Sequence, residues 1–283
     1  MTGRRIEESF FRVLMITSTI LIAGGLCWIV AVILWRGARS LNLAMVTQLP
    51  KGGYYIGGEG GILNAIVGSL LLGFLSTVVA GAIALPVCFM IQGDYAGKGR
   101  VAALARLSLD VMWGVPSIVY GAFAYTVMVY VSLGASLLAG IVALTLVQLP
   151  IVARAIDEVM QTVPRELKEA AYAIGATRFD VATKVISRQC LPGIFAGLLL
   201  GFGRGIGDAA SIILTAGYTD SLPHRLTDPV GSLPLAVFFQ LGSPDPEVQA
   251  RAYAAAFILL VIVLLASIAT QLFTRRFSRH VVR

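Results

Sequence analysis

The sequence predicts an all-α integral membrane protein of six transmembrane helices. Hydrophobic residues make up 57% of its 283 positions and charged residues 13%, against roughly 25% charged in a soluble domain. Apolar runs long enough to cross a bilayer, which takes roughly 20 residues, recur from one end of the chain to the other. Lys and Arg are also distributed unevenly between the segments that join those runs, the asymmetry expected when positive charge is retained on the cytoplasmic side.

The first run, 13–35, is free of charge and follows Arg4, Arg5 and Arg12 with no small-residue cleavage site, so it is expected to be a retained helix whose start lies inside. The second, 62–91, exceeds bilayer length and should tilt, or bend where Pro86 removes a backbone donor. The third, 107–131, has Pro116 as its expected bend. The fourth, 133–153, follows so closely that a tight outer hairpin through Ser132, Gly134 and Ser136 is required. Runs 190–216 and 252–273 complete the six.

With this layout the outer side receives Arg36, Arg39, Lys51, Arg225 and Arg251, and Arg204 lies within the membrane. Every other basic residue falls inside, among them Lys98, Arg100, Arg106, Arg154, Arg188 and the tail from Arg275 to Arg283. Membrane orientation therefore accounts for the net charge of +7 without nucleic acid, and anionic inner-leaflet lipid is the natural neighbour of these residues. Cys27, Cys88 and Cys190 are too few and too scattered for a disulfide framework or a CxxC metal site, and are read as small apolar fillers. His224 and His280 are the only histidines, so no metal site is expected.

Residues 154–189, between the fourth and fifth runs, are far more than a hairpin needs and carry helical signals of their own. Thr162 reads as a cap, Pro164 as first-turn residue and Glu166 as a carboxylate near the positive end of the helix. The helix continues through Glu169, Ala170, Ala171 and Tyr172 and should stop at Gly175 in the left-handed region. A second helix starts near Thr177 and climbs through Val181, Val185 and Ile186 into the fifth run. Two short helices with a glycine elbow form a projecting knob suited to a groove on a partner.

Arg204 and Asp208 sit inside the fifth run, where charge is costly and by default faces protein or water and marks a pathway. Their spacing of four puts them on one helix face, close enough to pair. The planar guanidinium fits a tetrahedral oxyanion, and the aspartate can hold or release it; an ion pair that only fixes helix packing is the alternative. Gly197, Gly201 and Gly205, with Gly193 before them, repeat every four residues and read as a packing ridge. Asp110 reads as an interfacial helix-start carboxylate, with a pathway group as the alternative. Gly205-Ile206-Gly207-Asp208-Ala209-Ala210 matches a loose dinucleotide pattern, but no strand precedes it. Gly97-Lys98 lacks the flanking residues of a P-loop, so this chain is not expected to bind ATP.

Glu169-Ala170-Ala171, three residues and Gly175, followed by Ala176-Thr177-Arg178-Phe179, resembles the EAA loop of permease subunits of ABC importers. The family pattern continues to Ile-x-Leu-Pro, where this chain reads Val185-Ile186-Ser187-Arg188 and places Leu191-Pro192 later. Further segments narrow the resemblance to the PstA-type branch of the phosphate permeases. Gly114-Val115-Pro116-Ser117-Ile118-Val119-Tyr120-Gly121 resembles a third-span signature. Arg204-Gly205-Ile206-Gly207-Asp208 is similar to the family's Arg-x-x-Gly-Glu, with Asp for Glu. Leu233-Pro234-Leu235-Ala236-Val237-Phe238, Ser243-Pro244-Asp245 and Arg251-Ala252-Tyr253 resemble its outer loop and sixth-span entry. The likeness covers roughly residues 60–275.

The resemblance implies a type I ABC importer permease: an N-terminal tail, first helix and outer loop over 1–61, a permease domain over 62–275 with coupling loop 154–189, and a basic tail over 276–283. It implies a non-catalytic subunit in the bacterial cytoplasmic (inner) membrane with both termini inside, coupling through Glu169, Ala170, Ala171 and Gly175 to an ATPase, and passing inorganic phosphate by Arg204 and Asp208. Implied partners are a PstC-type second permease, two PstB-type ATPase subunits holding ATP and Mg, and an external PstS-type binding protein. Sulfate or molybdate is the alternative cargo. An ATP-independent channel or secondary transporter would leave the EAA loop unexplained, and a membrane enzyme lacks a carboxylate or histidine cluster.

Overall fold

The computed structural model describes residues 2–51, 60–92 and 99–277. The glycine-rich stretch 93–98 and the basic tail beyond 277 lie outside the described residues. Among the described residues the architecture is helical: α1 (Thr2–Ser40), α2 (Leu43–Thr47), α3 (Leu63–Met90), α4 (Arg100–Gly114), α5 (Ser117–Tyr130), α6 (Leu137–Gln161), α7 (Arg165–Ala173), α8 (Arg178–Asp180), a π-helical stretch Val181–Ile186, α9 (Ser187–Ile206), α10 (Leu233–Leu241) and α11 (Pro246–Phe277). Among the described residues five helices are long and apolar enough to cross a membrane, and the bent α4–α5 pair passes the same test as a sixth when its halves are taken as one span. The chain is a multi-pass membrane protein.

Helices α3, α6 and α9 form the centre. The buried face of α3 is built from Gly68, Ser69, Gly73, Ser76, Thr77, Ala80, Gly81 and Ala84, whereas Leu70, Phe74 and Val78 face outward. Small residues at that spacing let α6 and α9 approach closely where no hydrophobic drive pulls helices together in lipid. Pro86 sits inside α3, which stays one helix to Met90. Helix α1 packs mainly along α11, Arg36 Nη1 donating to Tyr253 Oη at 3.0 Å, and leaves most of its surface outward.

The structure corrects three expectations. The third span is not one bent helix: α4 and α5 meet at 101° around Val115 and Pro116. At 15 and 14 residues each is about 22 Å long or less, too short to cross alone. Proline removes a donor and bars its predecessor from helical geometry, and Tyr120 Oη answers one carbonyl left at the break by donating to Met112 O at 2.6 Å.

Helix α6 runs past Ala153 to Gln161, so the chain leaves the fourth span at Thr162, which follows that helix rather than capping the next. The residue at the start of α7 is Pro164.

The fifth helix ends at Ile206 instead of continuing to Ala216. Residues 207–232 then form an irregular but packed segment in which Ile212, Ala216 and Val230 are buried. Its carbonyls satisfy the start of α6: Ser136 N–H donates to Thr215 O at 2.9 Å, Leu137 N–H to Asp228 O at 2.8 Å and Leu138 N–H to Leu226 O at 2.8 Å. Buried non-helical backbone persists only when its polar groups are matched in this way. Ser232 then caps α10, its Oγ accepting the Leu235 N–H.

Candidate functional site

Arg204 lies on the last turn of α9, and its Nη1 donates to Asp208 Oδ1 at 2.7 Å. The pair closes across the helix end rather than along one helix face, because Asp208 is two residues past Ile206. Its second oxygen accepts the Ser211 N–H at 2.9 Å, so one carboxylate orders both the arginine and the turn that follows. The two halves differ in exposure: the Asp208 side chain is 4% exposed and that of Arg204 46%. A buried anion thus holds a cation whose remaining donors are free to meet solvent or a ligand.

Arg204 lines a cavity of about 210 Å³ with Trp113, Val115, Ser117 and Tyr120 from the broken third span and Val147 and Pro150 from α6. The cavity thus brings together residues on both sides of the α4–α5 break, Pro150 within α6 and Arg204 on the last turn of α9. The glycines of α9 position it. Cβ atoms built on Gly197 and Gly201 would press on Ala155 and Val152, and one on Gly205 would occupy the place of the Gln148 amide. A side chain at Gly201 or Gly205 would force Val152 or Gln148 to shift, and one at Gly197 would press on Ala155, so the glycines let α9 lie close against α6. Cys88 and Cys190 fill the core near the other end, while Cys27 is exposed on α1.

Behind this site lies a polar cluster the sequence did not reveal. Thr77 Oγ1 donates to Gln148 Oε1 at 3.0 Å, Gln148 Nε2 to Ser76 Oγ at 2.9 Å, and Thr145 Oγ1 to the Ser76 carbonyl at 3.4 Å, all buried. These bonds tie α3 to α6. The one local signal was Thr145 and Gln148, spaced by three in the otherwise apolar stretch 137–153 of α6.

The second candidate surface is the α7–α8 knob. Glu169 and Ala170 are exposed, whereas Ala171 is buried among Met160, Val163, Val181 and Ile186 and fastens the knob to the bundle. Gly175 has φ +86, and a Cβ there would meet no atom within 4 Å, so its role is conformational and not steric. Ile174, 87% exposed, and Phe179, 69% exposed, flank it as apolar projections on a polar segment. Thr177 and Asp180 form a reciprocal capping box that starts α8. The π-helical Val181–Ile186 follows, where the sequence departs from Ile-x-Leu-Pro, and leads without a break into α9.

At the same end of the bundle lies a charge network that sequence reading missed. Asp157, 1% exposed, receives Arg106, Gln92 and Gln161. Asp110, read from the sequence as a helix-start carboxylate, instead lies near the C-terminal end of α4, because that helix begins at Arg100, and it pairs with Arg154 at 3.2 Å on a half-exposed surface.

The family model described as "Binding-protein-dependent transport system inner membrane component" matches residues 84–279. The phosphate transport system permease protein PstA of Yersinia pestis is 31% identical over 260 residues, covering 91% of this chain and 87% of the relative. The probable phosphate transport system permease protein PstA of Methanocaldococcus jannaschii is 36% identical over 210 residues, covering 73% of each. Among solved structures, a bacterial alginate ABC transporter in complex with an alginate pentasaccharide-bound periplasmic protein matches with a TM-score of 0.66 and 14% identity over 99% of both chains, a likeness of fold.

Proposed function

The chain belongs to the family of binding-protein-dependent transport system inner membrane components, in its PstA phosphate permease branch, and on that premise we propose that it supplies half of the membrane path of an ATP-driven importer of inorganic phosphate. Its fold is that of the type I ABC importer permeases. A PstC-type permease completes the path, an external PstS-type protein delivers phosphate, and a pair of PstB-type ATPases holds ATP and Mg on the cytoplasmic side. The α7–α8 knob faces that side, with both chain termini.

The observation that carries the reading is Arg204 beside the cavity at the broken third span. A guanidinium presents a planar fork of donors that fits two oxygens of a tetrahedral oxyanion. Asp208, buried and fixed by the Ser211 N–H, keeps that fork aimed and competes with the passing anion for it. The competition prevents the site from becoming a trap. Closure of the ATPase pair pushes on the knob around Glu169 and Gly175 and switches the path between outward and inward openings. Such switching requires the ATPase to bind the two states unequally, since equal affinity shifts nothing.

The test is initial-rate uptake of radiolabelled phosphate at low external concentration, in cells lacking this chain and in the same cells with it restored. ATP-dependent uptake that returns with the chain and ignores sulfate and molybdate is the expected result. Competition by either anion at equal concentration would move the cargo assignment to that oxyanion. Phosphate uptake that never depended on the chain, in cells without a redundant system, would refute the cargo altogether.

A further inference from the structure

We propose that Asp157 and Arg106 form a clamp that carries movement of the α7–α8 knob to the broken third span, which makes Asp157 a positioning residue for transport. The inference rests on the reading of the chain as an ATP-driven permease.

Asp157 stands on the last full turn of α6, just before the chain turns through Thr162, Val163 and Pro164 into α7. Its carboxylate is 1% exposed and accepts four hydrogen bonds. Arg106 Nε reaches Oδ2 at 3.0 Å and Nη2 reaches Oδ1 at 3.2 Å, a forked contact. Gln92 Nε2 donates to Oδ1 at 2.9 Å and Gln161 Nε2 to Oδ2 at 2.7 Å. Arg106 Nη2 also donates to the Ile91 carbonyl at 3.0 Å. One carboxylate thereby joins the end of α3, the middle of α4 and the end of α6.

What this junction controls follows from how little else holds α4. Only Ala102 and Leu109 of that helix are buried, and the Arg154–Asp110 pair beside them is too exposed to fix geometry. The forked ion pair therefore sets the register of α4 against α6. From Arg106 the helix runs about 13 Å to Val115, where the break opens onto the cavity lined by Ser117, Tyr120 and Arg204. On the other side, Met160, Val163 and Ala171 share one apolar core with Val181 and Ile186, so the knob and the end of α6 move as one piece, and α4 reaches that core only through Leu109, an apolar contact without the direction of the fork. Stability is a poor explanation for the pair, because a buried ion pair often contributes less than an apolar pair of the same shape. A directional fork supplies a lever arm that cannot slide.

The experiment uses the chain assembled with its partner subunits in liposomes. Exposed Cys27 is replaced by serine, and Ser117→Cys reports the opening of the cavity to a water-soluble maleimide, with and without ATP plus vanadate. The parent is expected to change its labelling rate by about fivefold or more on nucleotide trapping, the range of ordinary coupling energies. In Asp157→Asn and in Arg106→Gln that change should shrink to within about twofold, while the ATPase still copurifies. The double variant should be no worse than either single one, because the two residues act through one contact. Arg106→Lys keeps the charge and loses the fork; it should recover part of the response, and it serves as the test if Asp157→Asn fails to assemble. A parental response in these variants would overturn the clamp alone. No response in the parent would overturn the ATP-driven reading and the clamp with it.

Discussion

Neutralising Arg204 and Asp208 one at a time separates a packing role from a role in passage. Arg204→Gln leaves a carboxylate that is 4% exposed and keeps only the Ser211 N–H. Stranding one partner of a fully buried pair costs about 3–5 kcal/mol. Here the arginine is 46% exposed, so the chain encloses only half of the pair and the cost falls to about 1–2 kcal/mol. Asp208→Asn keeps an acceptor for Ser211 and loses only the charged component of its bonds, about 1 kcal/mol. Neither loss unfolds a domain whose stability is about 5–15 kcal/mol. If the pair only packs helices, both variants should transport in proportion to the complex that assembles. If phosphate needs the guanidinium, Arg204→Gln should lose uptake by about 100-fold or more, which is about 2.7 kcal/mol of lost stabilisation for the passing anion. Asp208→Asn should keep a measurable fraction. The assay is uptake per assembled complex, with the ATPase copurified as the control on assembly. Parental uptake by Arg204→Gln, or equal loss in both variants, would refute the reasoning.

Gly175→Val places a β-branched residue at φ +86, at a cost of about 1–2 kcal/mol; phosphate-stimulated ATP hydrolysis should fall while assembly persists, and unchanged stimulation would count against the elbow. Gly121→Ala should do the opposite, because its Cβ would stand 2.6 Å from Ser211 O and 2.9 Å from Ser211 Cα. That overpacking costs about 1–3 kcal/mol and should show as a lower unfolding temperature. For Asp228, the N–H groups of Arg225 and His224 hold the carboxyl below its ordinary value of 3.8. The folded value being the lower one, this contribution is present above the ordinary value and is lost as pH falls through the depressed one. The unfolding-temperature gap between parent and Asp228→Asn should thus persist down to about pH 5 and close below about pH 4.

The spans were legible because hydropathy alone reports them, and Gly175 because a helical run that stops in the left-handed region favours a residue without a Cβ. The end of α9 was not. Residues 209–216 stay apolar past the last helical turn, so the profile runs on where the helix does not; only Gly205, Gly207 and the capping capacity of Asp208 mark the stop. Helix α6 was cut short for the opposite reason. Arg154, Asp157 and Glu158 read as a soluble loop, yet Val152, Ile156 and Met160 keep the buried face going through them. Proline forecasts a bend at 116 but not its 101° size, which depends on what the two halves pack against. The Asp157 junction joins residues 51 and 65 positions apart, and no local pattern encodes such a meeting.

The positions where the helices fail coincide in space, and that coincidence is itself informative. A continuous apolar helix offers a passing anion nothing, since all its N–H and C=O groups are spent on itself. Pro116 ends one helix, Pro150 leaves the Leu146 carbonyl without its intrahelical donor, and Ile206 ends a third. Each failure alone would be a local defect. Val115 and Ser117 on either side of the first break, and Pro150, line one cavity with Arg204 from the last turn of α9, and around it the packing is tight: Gly121 rests on Ser211, and Gly205 makes room for Gln148. The arrangement joins loosened backbone at the site to close glycine packing behind it. A small displacement of α4 against α6 must then change the cavity rather than dissipate in soft neighbours, because a close-packed interior transmits strain. Passage and coupling thus draw on the same feature, the break at Pro116, which Arg204 faces from one side and Asp157 reaches through α4 from the other.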